Sequence, residues 1–394
     1  MIPLDEIRVS GKSFMVIAGE ASGDALAAEL VVALRETSTS PLTFFGVGGR
    51  AVRDAGVETV FDFSQNAVWG LEALKRLGEY REALKQVVEL AIKRKPDAII
   101  CVDFGGFNSR VAQEIKNHVR GSTDAAWQPR IIQFVSPQVW ATRPWRAKKL
   151  ARNVDLLLTI FPFEKTWYAQ RVPKLRVEFI GHPMVDRYAR DVTDDRFSNQ
   201  AIVSTKPPHV VILPGSRPSE LRRHLPVLND ALTRIRAQTP GVRATIILGE
   251  SLLPFARQIG LPADVEVRSA GLATALAHAD VAIAKSGTIT LECAFFGVPA
   301  VVLYKTSWPT YLIAKPLVNV RWAAMPNILA NEEVFPEFVQ GAATGENIAR
   351  ATLEFLNDAA RRNWVKAKLK EIVSSLGESG ASRRAAKAIL GLMA

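Results

Sequence analysis

The feature that most constrains this chain is a regular alternation of short apolar runs with segments of helical spacing, broken once and then resumed. Phe14–Gly19 (FMVIAG), Leu42–Gly46, Ala98–Asp103 (AIICVD), Ile131–Val135, Leu156–Ile160 and Val177–Ile180 read as buried strands. Between them, Ala25–Arg35, Ala83–Arg94 and Asn108–Val119 carry helical periodicity. Such alternation calls for parallel sheets covered by helices on both faces. The stretch 191–208 is polar, contains Asp194-Asp195 and Pro207-Pro208, and reads as a linker. Strands then resume at His209–Leu213 (HVVIL), Ala244–Leu248, Val265–Arg268, Val281–Ala284 and Ala300–Leu303. At 394 residues the chain exceeds one ordinary core. The expected class is α/β, with two Rossmann-like, doubly wound parallel-sheet domains facing across a cleft. They are expected over 1–190 and 191–360, with a basic helical segment over 361–394 packing back toward the first.

Composition narrows the function classes. No apolar stretch is long enough to span a membrane, and Met1–Ser13 carries early charges without an apolar core, so neither a transmembrane helix nor a cleaved signal peptide is expected. Cys101 and Cys293 sit in separate apolar runs and are expected as buried thiols, not as a disulfide or a metal site. Lys and Arg exceed Asp and Glu by 11, which favours acidic partners such as phosphates or anionic lipid surfaces. No nucleic-acid-binding module accompanies the charge, so no nucleic-acid partner is expected.

Ligands of doubly wound sheets bind outside the carboxyl ends of the strands, so the strand-to-helix turns are where chemistry is sought. Five stand out. Gly19–Asp24 (GEASGD) gathers Glu20, Ser22 and Asp24 at a helix start, where they serve as caps or face a ligand. Asp103 ends an apolar strand, and Asn108 is the better cap for the next helix; this points Asp103 toward general-base work. Ser136, Gln138 and Trp140, continuing through Arg143, Trp145 and Arg146, interleave aromatic rings with arginines, which suits a sugar or acyl face beside a phosphate, or a surface loop with core tryptophans. His182 follows a later strand and is expected packed at a domain hinge, with a general base as the alternative. Gly215, Ser216 and Arg217, with Glu220 one turn on, outline a phosphate site without Walker spacing. Ser286, Gly287 and Thr288 repeat that outline after another strand, and Glu292 further along could take ribose hydroxyls.

As a set, AGEASGD (Ala18–Asp24), SPQVW (Ser136–Trp140), FPFE (Phe161–Glu164), GHP (Gly181–Pro183), LPGSR with Glu220, SGT followed by LE (Ser286–Glu292) and MPN (Met325–Asn327) resemble the lipid-A-disaccharide synthases, in that family's order and over nearly the whole chain. The resemblance implies a GT-B fold and a metal-free, cofactor-free inverting transfer from UDP-2,3-diacylglucosamine to 2,3-diacylglucosamine 1-phosphate (lipid X). It implies work at the cytoplasmic face of an anionic inner membrane, as a peripheral protein; a homodimer is allowed. Carried over by position, Asp103 is the catalytic carboxylate, Arg217 an essential arginine, and Ser286, Thr288, Glu292 and Asn327 belong to the nucleotide half. Two positions depart from the family pattern. Gly106 stands where a second Asp is usual, and Val68–Glu72 is one residue short. Trp69, Leu71, Leu74 and Leu77, interleaved with Lys75 and Arg76, form an expected interfacial patch, or an ordinary amphipathic core helix. Fold alone leaves two rivals: another UDP-sugar enzyme, such as a UDP-N-acetylglucosamine 2-epimerase, and an inactive ligand-binding relative.

Overall fold

The computed structural model describes residues 11–19, 21–61, 77–122, 126–189, 197, 207–262 and 264–394. The chain forms two compact units, Met1–Asp186 with Gly377–Ala394, and Arg187–Leu376. Of the terminal segment expected over 361–394, the helix Ala359–Ser375 lies in the second unit and the helix Ala381–Met393 in the first.

The first unit is built on seven strands: β1 (Lys12–Ala18), β2 (Leu42–Val47), β3 (Glu58–Phe61), β4 (Ala98–Val102), β5 (Arg130–Phe134), β6 (Leu156–Thr159) and β7 (Arg176–Phe179). They pair in parallel in the order β3-β2-β1-β4-β5-β6-β7. The two-residue period of a strand splits its apolar run between two cores. Met15, Ile17, Ile99, Cys101, Ile131 and Leu157 face one core, with Val87 and Ile115 from covering helices. Phe14, Val16, Ile100, Val102, Ile132 and Leu158 face the other, closed by Leu30 and Leu34 of the helix Ala21–Thr37 and by Ala385, Ala386 and Ile389 of the helix Ala381–Met393. The thiol of Cys101 is buried and unpaired, and burial pushes its pKa up to about 12, so it packs as a small apolar group.

The second unit carries six strands: β8 (His209–Leu213), β9 (Arg243–Ile247), β10 (Glu266–Arg268), β11 (Val281–Lys285), β12 (Ala300–Tyr304) and β13 (Glu337–Val339). Their order is β10-β9-β8-β11-β12-β13, again parallel. The helices Pro218–Gln238 and Gly345–Asn357 pack together beside this sheet. In each sheet the winding direction reverses once, between β1 and β4 in the first and between β8 and β11 in the second. At such a reversal the connecting helices diverge to opposite faces and leave a crevice at the carboxyl ends of the strands.

Candidate active site

The first unit's reversal point joins the turn after β1 to the turn after β4. A Cβ on Gly19 would lie 2.5 Å from the Phe104 ring, so only glycine lets Phe104 cover this turn. A Cβ on Gly23 would lie 3.9 Å from the Cβ of Asp103, which places the candidate base beside the Gly-rich turn. Asp103 and Phe104 both hold left-handed backbone, φ 46 and 44. Two buried amide side chains fix that conformation. Asn108 Nδ2 donates to the carbonyls of Val102 (3.2 Å) and Asp103 (2.9 Å). Gln133 Nε2 donates to Asp103 O at 3.2 Å and to the carbonyl of Val135, itself at φ 68, at 3.1 Å. Asp103 is thus half-buried at the strand end, on backbone tied from two sides.

Other expected acceptor-side residues take different places. The Asp24 carboxylate is buried and accepts from the amides of Gly49 (2.6 Å), Ala51 (2.9 Å) and Val52 (3.4 Å), so it caps the helix Arg50–Asp54. Trp140 is a core residue, not a ligand face: its Nε1 donates to the buried Glu164 at 3.0 Å, and its ring meets Phe163 edge-on at 5.0 Å. Ser136 is buried and shares a hydrogen bond with Tyr168 at 2.9 Å. His182 is buried, and its Nδ1 accepts from the amide of Met184 at 3.1 Å. Ser22 is exposed in the first turn of its helix, and Gln138 is exposed at the rim of a recess described below. Glu20 and the patch residues Trp69, Leu71 and Leu74 lie outside the described residues, as does the side chain of Leu77.

The second unit's reversal point assembles the turns after β8, β11 and β12. Gly215 turns at φ 125, and Ser216 N donates to Glu220 at 2.9 Å. A Cβ on Gly215 would meet that carboxylate at 2.4 Å. Glu220 also faces two cations, Lys285 at 3.4 Å and Arg217 at 3.7 Å. One carboxylate therefore balances two positive charges, and the surplus sits where helix Pro218–Gln238 points its N-terminal amides. Arg217 keeps two thirds of its side chain exposed. Gly287 bends at φ 149, Thr288 is exposed, and Ser286 Oγ donates to Ala323 O at 2.8 Å. Burial raises the Glu292 carboxyl above its usual range against the attraction of Arg187, and its Oε2 is buried without a hydrogen-bond partner. Trp322 Nε1 is likewise buried and unpartnered. Buried polar atoms seldom stay unsatisfied, which makes these two atoms candidate ligand contacts.

Asn327, expected at the nucleotide, is fully engaged elsewhere. Its Nδ2 donates to Phe335 O (2.7 Å) and Glu337 (2.8 Å), and its Oδ1 accepts from Val334 N (2.9 Å) and Phe335 N (2.8 Å). That saturates an amide side chain. Glu337 in turn accepts from the amides of Ala323 and Ala324, each at 2.8 Å, so the Asn327–Glu337 pair ties down the loop that receives Ser286. The turns after β8 and β12 are joined by His224, which sequence reasoning missed. It is fully buried, its Nδ1 donates to Pro214 O at 2.6 Å, and its Nε2 accepts from Lys305 N at 3.1 Å. Burial lowers its pKa, which keeps the ring neutral and in that one tautomer.

Two parallel sheets, each with ligand-ready turns at its reversal point, define a GT-B-type α/β protein. Solved structures share this fold: the glycosyltransferase of kitacinnamycin (TM-score 0.62, 17% identity, 98% of this chain and 99% of that one) and a Neisseria meningitidis UDP-GlcNAc 2-epimerase bound to UDP-GlcNAc (TM-score 0.58, 12% identity, 97% and 99%). Sequence relationships are sharper. Residues 14–390 match the family described as lipid-A-disaccharide synthetase. The lipid-A-disaccharide synthases of Myxococcus xanthus (36% identity over 386 residues, 96% of this chain and 97% of the relative) and Geobacter sulfurreducens (35% over 387 residues, 96% and 97%) align along their whole lengths. The chain belongs to the lipid-A-disaccharide synthase family of glycosyltransferases.

Proposed function

We propose that this chain joins UDP-2,3-diacylglucosamine to the 6-hydroxyl of 2,3-diacylglucosamine 1-phosphate, with inversion, to give the β-1,6 disaccharide 1-phosphate and UDP. The observation that carries this reading is the cation surplus around Glu220 in a member of this family. In this reading the UDP diphosphate lies on the Gly215–Arg217 and Ser286–Thr288 turns. Arg217, Lys285 and the backbone N–H groups there stabilise the charge that grows on the departing oxygen. Glu292 takes a ribose hydroxyl with its unpartnered oxygen. Asp103 removes the acceptor hydroxyl's proton as the new bond forms, and its tied backbone holds the carboxylate in place for that step. Asn327 contributes by holding its loop.

A site of work at the cytoplasmic face of an anionic inner membrane, as a peripheral protein, is part of the same proposal. Trp308, Leu312, Ile313 and Val318 in the second unit are all exposed, and the surrounding stretch 305–331 holds Lys305, Lys315 and Arg321 but no Asp or Glu. An apolar, basic surface of this kind suits an anionic lipid interface. No helix among the described residues is long and apolar enough to cross a membrane.

The decisive experiment supplies both lipid substrates in detergent and measures disaccharide and UDP. The protein is expected to turn over in EDTA, and Asp103→Asn is expected to lower kcat about a hundredfold or more. Near-parental turnover in Asp103→Asn would remove the base assignment. UDP release without disaccharide would move the chain to a different UDP-sugar reaction.

A further inference from the structure

The first unit contains a recess of about 470 Å3 whose wall includes Gly105, Gly106, Arg110, Arg143, Arg146 and Lys149. Its residues include four cations and no carboxylate. Elsewhere in this unit Lys116 meets Asp155 at 2.8 Å, and Arg94 meets Glu58 at 2.6 Å. None of the four recess cations forms an ion pair among the described residues; Arg110 only lies over the Tyr80 ring, at 5.5 Å from its centre. The guanidinium of Arg146 is held below its ordinary range, first by burial and then by repulsion from Arg143 and Arg110. Among the described residues these charges have no counter-ion, and a bound anion would relieve the repulsion between them.

The position of the recess narrows the anion. Gly105 and Gly106 begin the helix Gly105–Gly121, two and three residues beyond Asp103. A Cβ on Gly105 would stand 2.9 Å from Pro137, so this glycine lets the two turns that frame the recess close on each other. A ligand that presents a hydroxyl to Asp103 thus has a cationic recess alongside. The diphosphate of the donor is already assigned to the second unit. Resting on the proposed reaction, we infer that this recess binds the phosphate monoester of the acceptor, and so also of the disaccharide product. Arg143 and Arg146 would bracket the phosphate, with Arg110 and Lys149 completing the charge; guanidinium groups match the oxygens of a phosphate in paired hydrogen bonds.

The test compares an acceptor bearing the 1-phosphate with the same acceptor lacking it, in the full-length parent, Arg143→Ala, Arg146→Ala and Arg146→Lys. These side chains are at the surface, so the variants should keep the parent's melting temperature. Loss of either arginine is expected to raise KM for the phosphorylated acceptor about tenfold or more. The KM for UDP-sugar should stay within about twofold. The parent's preference for the phosphorylated acceptor should shrink toward none in the alanine variants, and Arg146→Lys should recover part of it. An equal rise in both substrates' KM, or an undiminished preference for the phosphorylated acceptor, would overturn the assignment. A second arm titrates inorganic phosphate and glucosamine 1-phosphate into parent and Arg143→Ala/Arg146→Ala protein without any donor. Saturable binding of the sugar phosphate, lost in the double variant, supports the recess even if no disaccharide is ever formed. Failure of the parent to bind either probe sinks the recess while leaving the transferase reading to its own assay. Inorganic phosphate binding as tightly as the sugar phosphate would show a general anion site and overturn the acceptor assignment.

Discussion

Asp103 and Phe104 share a backbone conformation that costs a side-chain-bearing residue about 1–2 kcal/mol each. Asn108 and Gln133 supply the hydrogen bonds that hold it. Local strain held by buried amides is what fixing one carboxylate at the end of a strand requires. Three residues on stands Gly106, where the resemblance implies a second Asp. That glycine is exposed, and an added Cβ would meet nothing within 4 Å. It also lies in the first turn of a helix, where a carboxylate gains about 0.3–1 kcal/mol. Gly106→Asp is therefore expected to fold normally, with a melting temperature equal to the parent's or a few degrees higher. In the proposed mechanism Asp103 alone serves as base, so kcat should keep its order of magnitude. A tenfold gain in kcat would show that the chemistry wants two carboxylates.

Elements act here through the polar groups they trap between them. The helix Pro162–Arg171 carries Glu164 in its first turn, and that carboxylate accepts from the amides of Ile160 and Phe161 and from Trp140 of the helix Val139–Thr142. Burial raises its pKa from 4.5 to about 7 despite these donors. The folded protein thus holds the proton more tightly than the unfolded chain does. The stability this contributes is complete below pH 4.5 and is lost as pH climbs to about 7. Urea unfolding across that window should show the parent losing about 3 kcal/mol relative to Glu164→Gln, which cannot ionise. Parallel curves for the two proteins would place the pH sensitivity elsewhere. The same elements show what was legible in advance. Apolar runs announced the central strands, and Gly-rich turns after them announced the reversal points, because both signals are local. The edge strands β3 and β13 were not anticipated: they are short and half-exposed, so no apolar run marks them. The sequence leaves Trp140 open between a ligand face and a core tryptophan and puts Asn327 at the nucleotide, because their partners, Glu164 and Glu337, are fixed only by tertiary packing. Gln133 and His224 did leave a trace, a lone polar residue within an apolar strand and a histidine on the inner face of a helix. Neither pattern says which carbonyls it will meet.

At the scale of the molecule, a net charge of +11 favours approach to an anionic surface, and in the proposed membrane role the exposed apolar residues of 308–318 make the contact that charge alone lacks. Leu312→Glu combined with Ile313→Glu is expected to reduce co-sedimentation with phosphatidylglycerol vesicles about fivefold or more. Turnover on detergent-dispersed substrates should hold. Unchanged vesicle binding would assign the interface to another surface. The course of the chain has its own consequence for how the protein is made. Ala385, Ala386 and Ile389 complete a core that Phe14, Val16 and Leu30 begin, and the entire second unit is translated between them. Once Leu376 has emerged from the ribosome, the second unit has all of its chain. The first unit at that moment still presents an open apolar face. The half born first is thus the half finished last, and during synthesis it is the one that calls for protection from aggregation.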